Sequence, residues 1–298
     1  MVKLRNAAYC NLKLLLIFFV IYGHLIEPQI DGNTLLLAQY RWIYLVHMPL
    51  FAFLSGLFLN SPRLCMNQMT DYFSLYFFWQ FAAVFLGDGE VEMFTPYWHL
   101  WYLLSATCWC CIAWIWLRFG KGKGAWLLAS SIVVGCLASC ISAIDREYSL
   151  SRTIVFFPYF LSGVLCDPAT MWHKYRVWSF IGVVLVIGVK LTCDPYLPTS
   201  FLYQATPSGC RGAVLRAACY FIGFSMGLFL LTWIPSVRFP FTRAGSNTTT
   251  AYLLHAPIVL WLRQYNLSWL WLMGLTAVFL YLTHKLTQWH KPLYGIRP

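Results

Sequence analysis

Apolar runs long enough to cross a membrane recur along the whole chain, separated by short polar stretches. A helix needs about 20 predominantly apolar residues to traverse the hydrocarbon core. On that length the pattern predicts helices over approximately 10–27, 40–60, 72–87, 98–117, 125–144, 152–166, 176–193, 213–234, 247–264 and 267–285. The third and sixth are short, which leaves tilting or re-entry open for them. No polar stretch is large enough for a separate soluble domain, and no internal repeat is evident. The expected fold is therefore all-α, a single polytopic membrane domain over residues 1–298 with about ten transmembrane helices. The first run lacks a small-residue cleavage pattern and leads into Glu27-Pro28, so it reads as a retained helix.

The polar exceptions inside these runs carry the chemical information. Lys13 and His24 stand eleven residues apart in the first run, close to three helical turns, so both lie on one stripe with Ile17 and Val20 between them. Their axial separation is roughly 16 Å. Glu27 follows one turn after His24. An ionisable group inside a span is costly and is a functional hypothesis by default. In the second run His47, Phe51 and Ser55 share a face, Tyr44 precedes His47 by one turn, and Pro49 removes a backbone donor. His24 and His47 are candidates to share a pocket. His255 sits mid-span in Ala251-Tyr252-Leu-Leu-His-Ala-Pro257, again with a tyrosine before it and a proline after. Arg41 and Arg152 begin the second and sixth runs; at such a helix start Arg152 is placed either to bind an anion or simply to be hydrated.

Charge orients the bundle. With the N-terminus inside, fourteen of the 21 Lys and Arg residues fall on the cytoplasmic side and seven outside, as the positive-inside rule requires. An even number of helices then puts both termini in the cytoplasm. Charged residues make up only 10% of the chain and hydrophobic ones 60%, so the net charge of +11 reads as topology rather than as nucleic-acid binding. The eleven cysteines form no Cys-x-x-Cys pair and no cluster with metal spacing; Cys108, Cys110, Cys111, Cys136, Cys140 and Cys219 read as small buried hydrophobes. The stretch 194–212 is rich in Pro, Gly, Ser and Thr and is expected to be an irregular outer loop.

These residues suit acyl transfer. An imidazole is a competent general base for a hydroxyl nucleophile, and a carboxylate one turn away can orient it or stabilise the imidazolium. There is no Gly-x-Ser-x-Gly elbow, no P-loop and no dinucleotide fingerprint, so serine hydrolysis, nucleotide hydrolysis and hydride transfer have no support.

Taken in order, Lys13-x10-His24, the Val46-His47-Met-Pro49-Leu-Phe-x-Phe-Leu-Ser-Gly56 segment, His99-Leu-Trp-Tyr, Phe156-Phe-Pro-Tyr-Phe-Leu-Ser-Gly163 and Tyr252-Leu-Leu-His255-Ala-Pro257 resemble membrane acyltransferase family 3, in the branch that includes fucose 4-O-acetylases. The resemblance runs from about residue 10 to 285. It implies a ten-helix membrane enzyme that moves an acetyl or related acyl group onto a carbohydrate hydroxyl. The family's first-helix pattern is usually Arg-x10-His; its histidine falls on His24 and its arginine on Lys13, which keeps the charge and loses the planar fork. The histidine of the family's His-Met-Pro motif falls on His47. Longer members carry an appended hydrolase-like domain, and here the whole reaction is expected within the bundle.

The resulting expectation is an O-acetyltransferase of a bacterial cytoplasmic membrane, with no tightly bound cofactor and with acetyl-CoA as the acyl donor. Its partners are a carbohydrate acceptor (exopolysaccharide, lipopolysaccharide or lipid-linked glycan) and membrane lipids, with no nucleic acid. His24 is the expected base, Glu27 its orienting partner, and His47 or Arg41 the stabiliser of the oxyanion. Lys13, Arg63, Lys121 and Arg243 are candidates for the CoA phosphates. Arg152, Tyr252 and His255, with Arg41, are candidates for binding the acceptor, and no metal is expected. The competing class is a transporter or flippase of a saccharide or small metabolite, which also uses intramembrane histidines and arginines. It would leave no acyl ester on a product.

Overall fold

The computed structural model describes residues 2–86, 94–120, 122–141, 144, 147–167, 175–193, 197–202 and 209–289. Among them there is no strand, and each of the ten predicted segments falls on a helix. These are α1 (Val2–Ile26), α2 (Thr34–Gly56), α3 (Pro62–Leu86), α4 (Trp101–Phe119), α5 (Gly124–Leu137), α6 (Leu150–Leu165), α7 (Arg176–Cys193), α8 (Gly209–Trp233), α9 (Thr248–Leu262) and α10 (Trp269–Trp289). Four segments are long and apolar enough to cross a membrane by length and composition: Ala7–Gln29, Trp98–Phe119, Gly209–Trp233 and Trp269–Gln288. Gly124–Cys140 and Leu150–Leu165 are shorter apolar helices.

Three expectations change. The third helix is not short: it begins at Pro62, ten residues ahead of the apolar run, because proline suits a first helical turn and the polar Asn67, Gln68 and Asp71 lower the hydropathy without breaking the helix. Its exposed Phe73, Phe77, Phe78 and Phe81 form the apolar surface expected against lipid. In the 194–212 stretch the described part is partly helical, with a single turn at Thr199–Leu202 and α8 starting at Gly209; 194–196 and 203–208 lie outside the described residues. Of the six cysteines expected to be buried, only Cys110 is; Cys136 and Cys219 are half-buried and Cys108, Cys111 and Cys140 exposed.

The chain divides into two compact units, one of residues 1–47 with 233–298 and one of residues 48–232. In the first, α1 packs on α9, on α10 and on a 3₁₀ segment, Thr242–Asn247. Its inner face is Leu12, Leu16, Ile17, Val20, Ile21 and Leu25, so the stripe between Lys13 and His24 faces the interior. Asn11 fixes the chain leading to α9: its Nδ2 donates to the Pro235 and Val237 carbonyls, while its Oδ1 accepts from the Thr242 hydroxyl. Tyr22 donates to Gln39 Oε1 at 2.7 Å and ties α1 to α2.

In the second unit, α3 packs on α4 and α6 on α4 and α5. The tetrapeptide Phe-Leu-Ser-Gly occurs twice, at 53–56 in α2 and 160–163 in α6, and the two copies cross. A Cβ on Gly56 would collide with the Phe160 carbonyl, and one on Gly163 with the Phe53 carbonyl. This reciprocity was invisible as a repeat because only four residues recur. Small residues at such crossings let two backbones approach. We predict that Gly163→Ala lowers stability by about 1–3 kcal/mol, since backbone cannot yield as a side-chain tip can. Thermal unfolding in detergent should show a fall in melting temperature for this variant and none for Gly274→Ala, whose Cβ would meet nothing within 4 Å.

Candidate functional site

The first unit gathers most of the polar residues singled out in the sequence. Pro28 decides the geometry at the end of α1. In a continuing helix the His24 carbonyl would accept from residue 28, but proline has no N–H, so this carbonyl is left for another donor. Arg263, one residue beyond α9, supplies it: Nε and Nη2 donate to the His24 carbonyl at 3.0 and 2.7 Å, and Nη2 also pairs with Glu27 Oε2. Arg263 therefore fixes the backbone of His24 and the carboxylate beside its ring together.

His24 Nδ1 lies 3.1 Å from the Tyr44 hydroxyl and 3.6 Å from Glu27 Oε2. With its proton on Nδ1 the imidazole donates to the Tyr44 hydroxyl, and in the other tautomer Nδ1 accepts from it; the Glu27 carboxylate stands just beyond hydrogen-bond distance as a nearby charge. Gly23 makes room for this contact, because a Cβ there would stand 3.2 Å from Tyr44 and from Ile43. Tyr44 also turns its edge to His47, with ring centroids 4.9 Å apart, and stacks on buried Tyr40 at 4.1 Å. The two histidines thus meet through Tyr44.

His255 stacks on His24, with centroids 5.6 Å apart and planes 16° from parallel. His47 and His255 share a local design. Each precedes a proline by two residues, and each spends Nδ1 on a carbonyl of its own helix, Ile43 at 2.6 Å and Tyr252 respectively. A carbonyl only accepts, so Nδ1 carries the proton in both. Exposure separates the roles: His47 is 2% exposed and His255 0%, whereas the side chains of His24, Glu27 and Arg263 are 16, 26 and 22% exposed. The reachable imidazole is His24.

The other candidates are distributed as follows. Lys13 is half-buried on α1, and Arg41 lies one turn before Tyr44 on α2. Tyr252 packs against the His255 ring at 5.7 Å. Arg243 belongs to the first unit but lines a separate cavity with Arg238 and Lys285. Arg63, exposed at the start of α3, and Arg152, whose guanidinium lies 4.9 Å over the Trp101 ring, belong to the second unit. Lys121 lies outside the described residues. Among the described residues no group of three or more His, Cys, Asp or Glu has metal-binding geometry. Sequence reasoning assigned neither Tyr44, noted only as one turn before His47, nor Arg263 to the site. The signals were present: a tyrosine one turn before His47, and one arginine ending an otherwise uncharged helix.

Comparison with known proteins bears on this arrangement. The family profile described as an acyltransferase domain, family 3, matches residues 7–283, nearly the whole chain and every element of the cluster. The chain belongs to membrane acyltransferase family 3. It is an integral membrane acyltransferase by family and by its apolar helices. It is also similar to the nodulation protein NolL of Sinorhizobium fredii (strain NBRC 101917 / NGR234), 26% identical over 186 residues, covering 54% of this chain and 48% of that protein. The chain thus spans about half the length of that curated relative. No solved structure matches.

Arg263→Lys keeps the charge but cannot bond the carbonyl and the carboxylate in one plane. We predict that this variant of the acyltransferase folds with a slightly lower melting temperature and transfers acyl groups about ten-fold more slowly, since a misplaced catalytic group costs one to two orders of magnitude. Assays at saturating donor and acceptor should place the loss in kcat.

Proposed function

We propose that this acyltransferase moves an acetyl group from acetyl-CoA to a carbohydrate hydroxyl, with His24 as general base. The observation that carries the reading is the half-open His24 imidazole between the Tyr44 hydroxyl and the Arg263-bound Glu27 carboxylate, in a chain of this family. Nδ1–H donates to the Tyr44 hydroxyl, with the Glu27 charge nearby to stabilise the imidazolium, so Nε2 takes the proton of the attacking hydroxyl. The hydroxyl oxygen bonds to the thioester carbonyl carbon, negative charge moves to the carbonyl oxygen, and the carbon–sulfur bond then breaks. The imidazolium returns its proton to the departing thiolate, giving the acetyl ester and free CoA. Proton transfer of this kind contributes about 10²–10⁴-fold to rate.

Arg41 is the better candidate for the oxyanion than His47, because neutral His47 has already spent its one N–H on Ile43. His255, stacked on His24, remains a candidate for binding the acceptor with Tyr252 beside it, and Arg152 remains a candidate for the acceptor in the second unit. Lys13, three turns below His24 on the buried stripe, is the candidate for steering the donor, with Arg63 and Lys121 as further cations for its phosphates. The remaining parts of the proposal are ten crossings with both termini in the cytoplasm of a bacterium, a single catalytic membrane domain, and an exopolysaccharide, lipopolysaccharide or lipid-linked glycan as acceptor.

The test supplies radiolabelled acetyl-CoA and host glycan to membranes holding equal folded amounts of the native protein or His24→Ala. Base-labile label in the glycan with the native protein, reduced by at least about 100-fold in the variant, is the expected result. Equal label in both would remove His24 from the chemistry. No label in either would overturn acetyl transfer and favour a transporter.

A further inference from the structure

The first unit contains a second feature, whose lining includes no residue of the His24 cluster. Between α1, α10 and the 3₁₀ segment lies a cavity of about 1150 Å³. One end is basic, with Arg238, Arg243 and Lys285, and the lining contains no Asp or Glu. Asn11, Thr242, Ser246, His284 and Gln288 also line the cavity. The rest is an apolar trough walled by Leu14, Leu15 and Phe18 of α1 and by Ala277, Leu280 and Tyr281 of α10. Exposed Ala277, Tyr281 and Lys285 run along its open side, so the trough opens sideways, towards the surface a membrane helix presents to lipid.

Two facts make the basic end unusual. The chain has no acidic residue after Asp194, and within this unit the acids are Glu27 and Asp31, both at the far end of α1. No carboxylate of the unit is therefore at hand for these cations. The cations are also held in place: Asn11 and Thr242 pin the 235–242 loop, and a Cβ on Gly245 would collide with the Cys10 carbonyl, so the 3₁₀ segment lies directly on α1.

From these observations we infer that the trough is a binding site for an anionic phospholipid, with its phosphate on Arg238, Arg243 and Lys285 and an acyl chain along α1 and α10. The lining runs from Ala7 to Phe18 on α1, roughly 16 Å at helical rise, which leaves room for a headgroup at the basic end and the first part of an acyl chain beside Leu14–Phe18. Charge fits, since basic pockets between helices are where anionic headgroups bind. Stacked, exposed Phe239 and Phe241, 5.2 Å apart, flank the basic end where an interfacial aromatic anchor belongs.

The occupant is not the pantetheine arm of a CoA. Beyond the basic end its two amides would pass Leu14, Leu15, Phe18, Ala277 and Leu280, apolar walls that return few hydrogen bonds and make their burial costly. The trough also lies on the Leu14–Phe18 face of α1, about a third of a turn from the stripe that carries Lys13 and His24. Arg243, a candidate for the donor's phosphates by charge alone, accordingly serves the lipid.

The experiment titrates dioleoyl-phosphatidylglycerol against the delipidated full-length chain in detergent, with phosphatidylcholine as comparison, and reads bound lipid by native mass spectrometry. The native protein should prefer phosphatidylglycerol. Each lost cation should weaken that binding about five-fold, and Arg238→Gln with Lys285→Gln about 25-fold together. Leu15→Trp, which fills the trough and spares the cations, should also lower retention. Undiminished phosphatidylglycerol binding in both variants, or equal binding of the two lipids by the native chain, would overturn the inference. So would a raised KM for acetyl-CoA in the double variant with lipid binding intact, which would return the trough to the donor. The lipid readout is independent of whether acetyl transfer is observed.

Discussion

Pro28 leaves one carbonyl at the end of α1 without its helical donor, and Arg263 takes it. That bond is the constraint on which the cluster depends. The guanidinium spans the gap between α1 and the end of α9, bonds the backbone of His24, and holds Glu27 in the same plane. A lysine could neutralise Glu27, but it could not also fix the carbonyl. The histidine, its carboxylate and the stacked His255 are consequently set relative to one another by a single side chain.

Around this bond, small residues and prolines decide what can approach. Gly23 admits the Tyr44 ring beside His24, and Gly245 lets the 3₁₀ segment lie on α1. Pro49 and Pro257 follow two buried histidines whose Nδ1 protons are spent on their own helices. The consequence is chemical. Two of the three imidazoles are buried and fixed in one tautomer, and the third is partly exposed with a carboxylate nearby.

The second unit follows the same rule with a different purpose. Its Phe-Leu-Ser-Gly crossing brings α2 and α6 into backbone contact, and Ser55 and Tyr102 bond at 2.6 Å beside it. These contacts consume the polar groups of the motif in packing. The family motifs of this chain are therefore of two kinds: those around His24 hold ionisable groups near each other, and those around Gly56 and Gly163 hold helices together.

The sequence alone determined the class of the molecule and the register of its helices, because a bilayer demands about 20 apolar residues per crossing and every exception to that rule stands out. His24, Glu27, His47 and His255 were legible for that reason: each is a polar residue in or beside an apolar run. The start of α3 was not, since a helix needs no hydropathy where it leaves the apolar region. Tertiary structure decided what touches what. It placed Arg263 on His24 across 239 positions, put Tyr44 between two histidines, and separated Arg243 from Lys13 onto another face of α1. The physical reason is that helical period fixes the face of each side chain, whereas the neighbour of that face is chosen by packing between segments far apart in the chain.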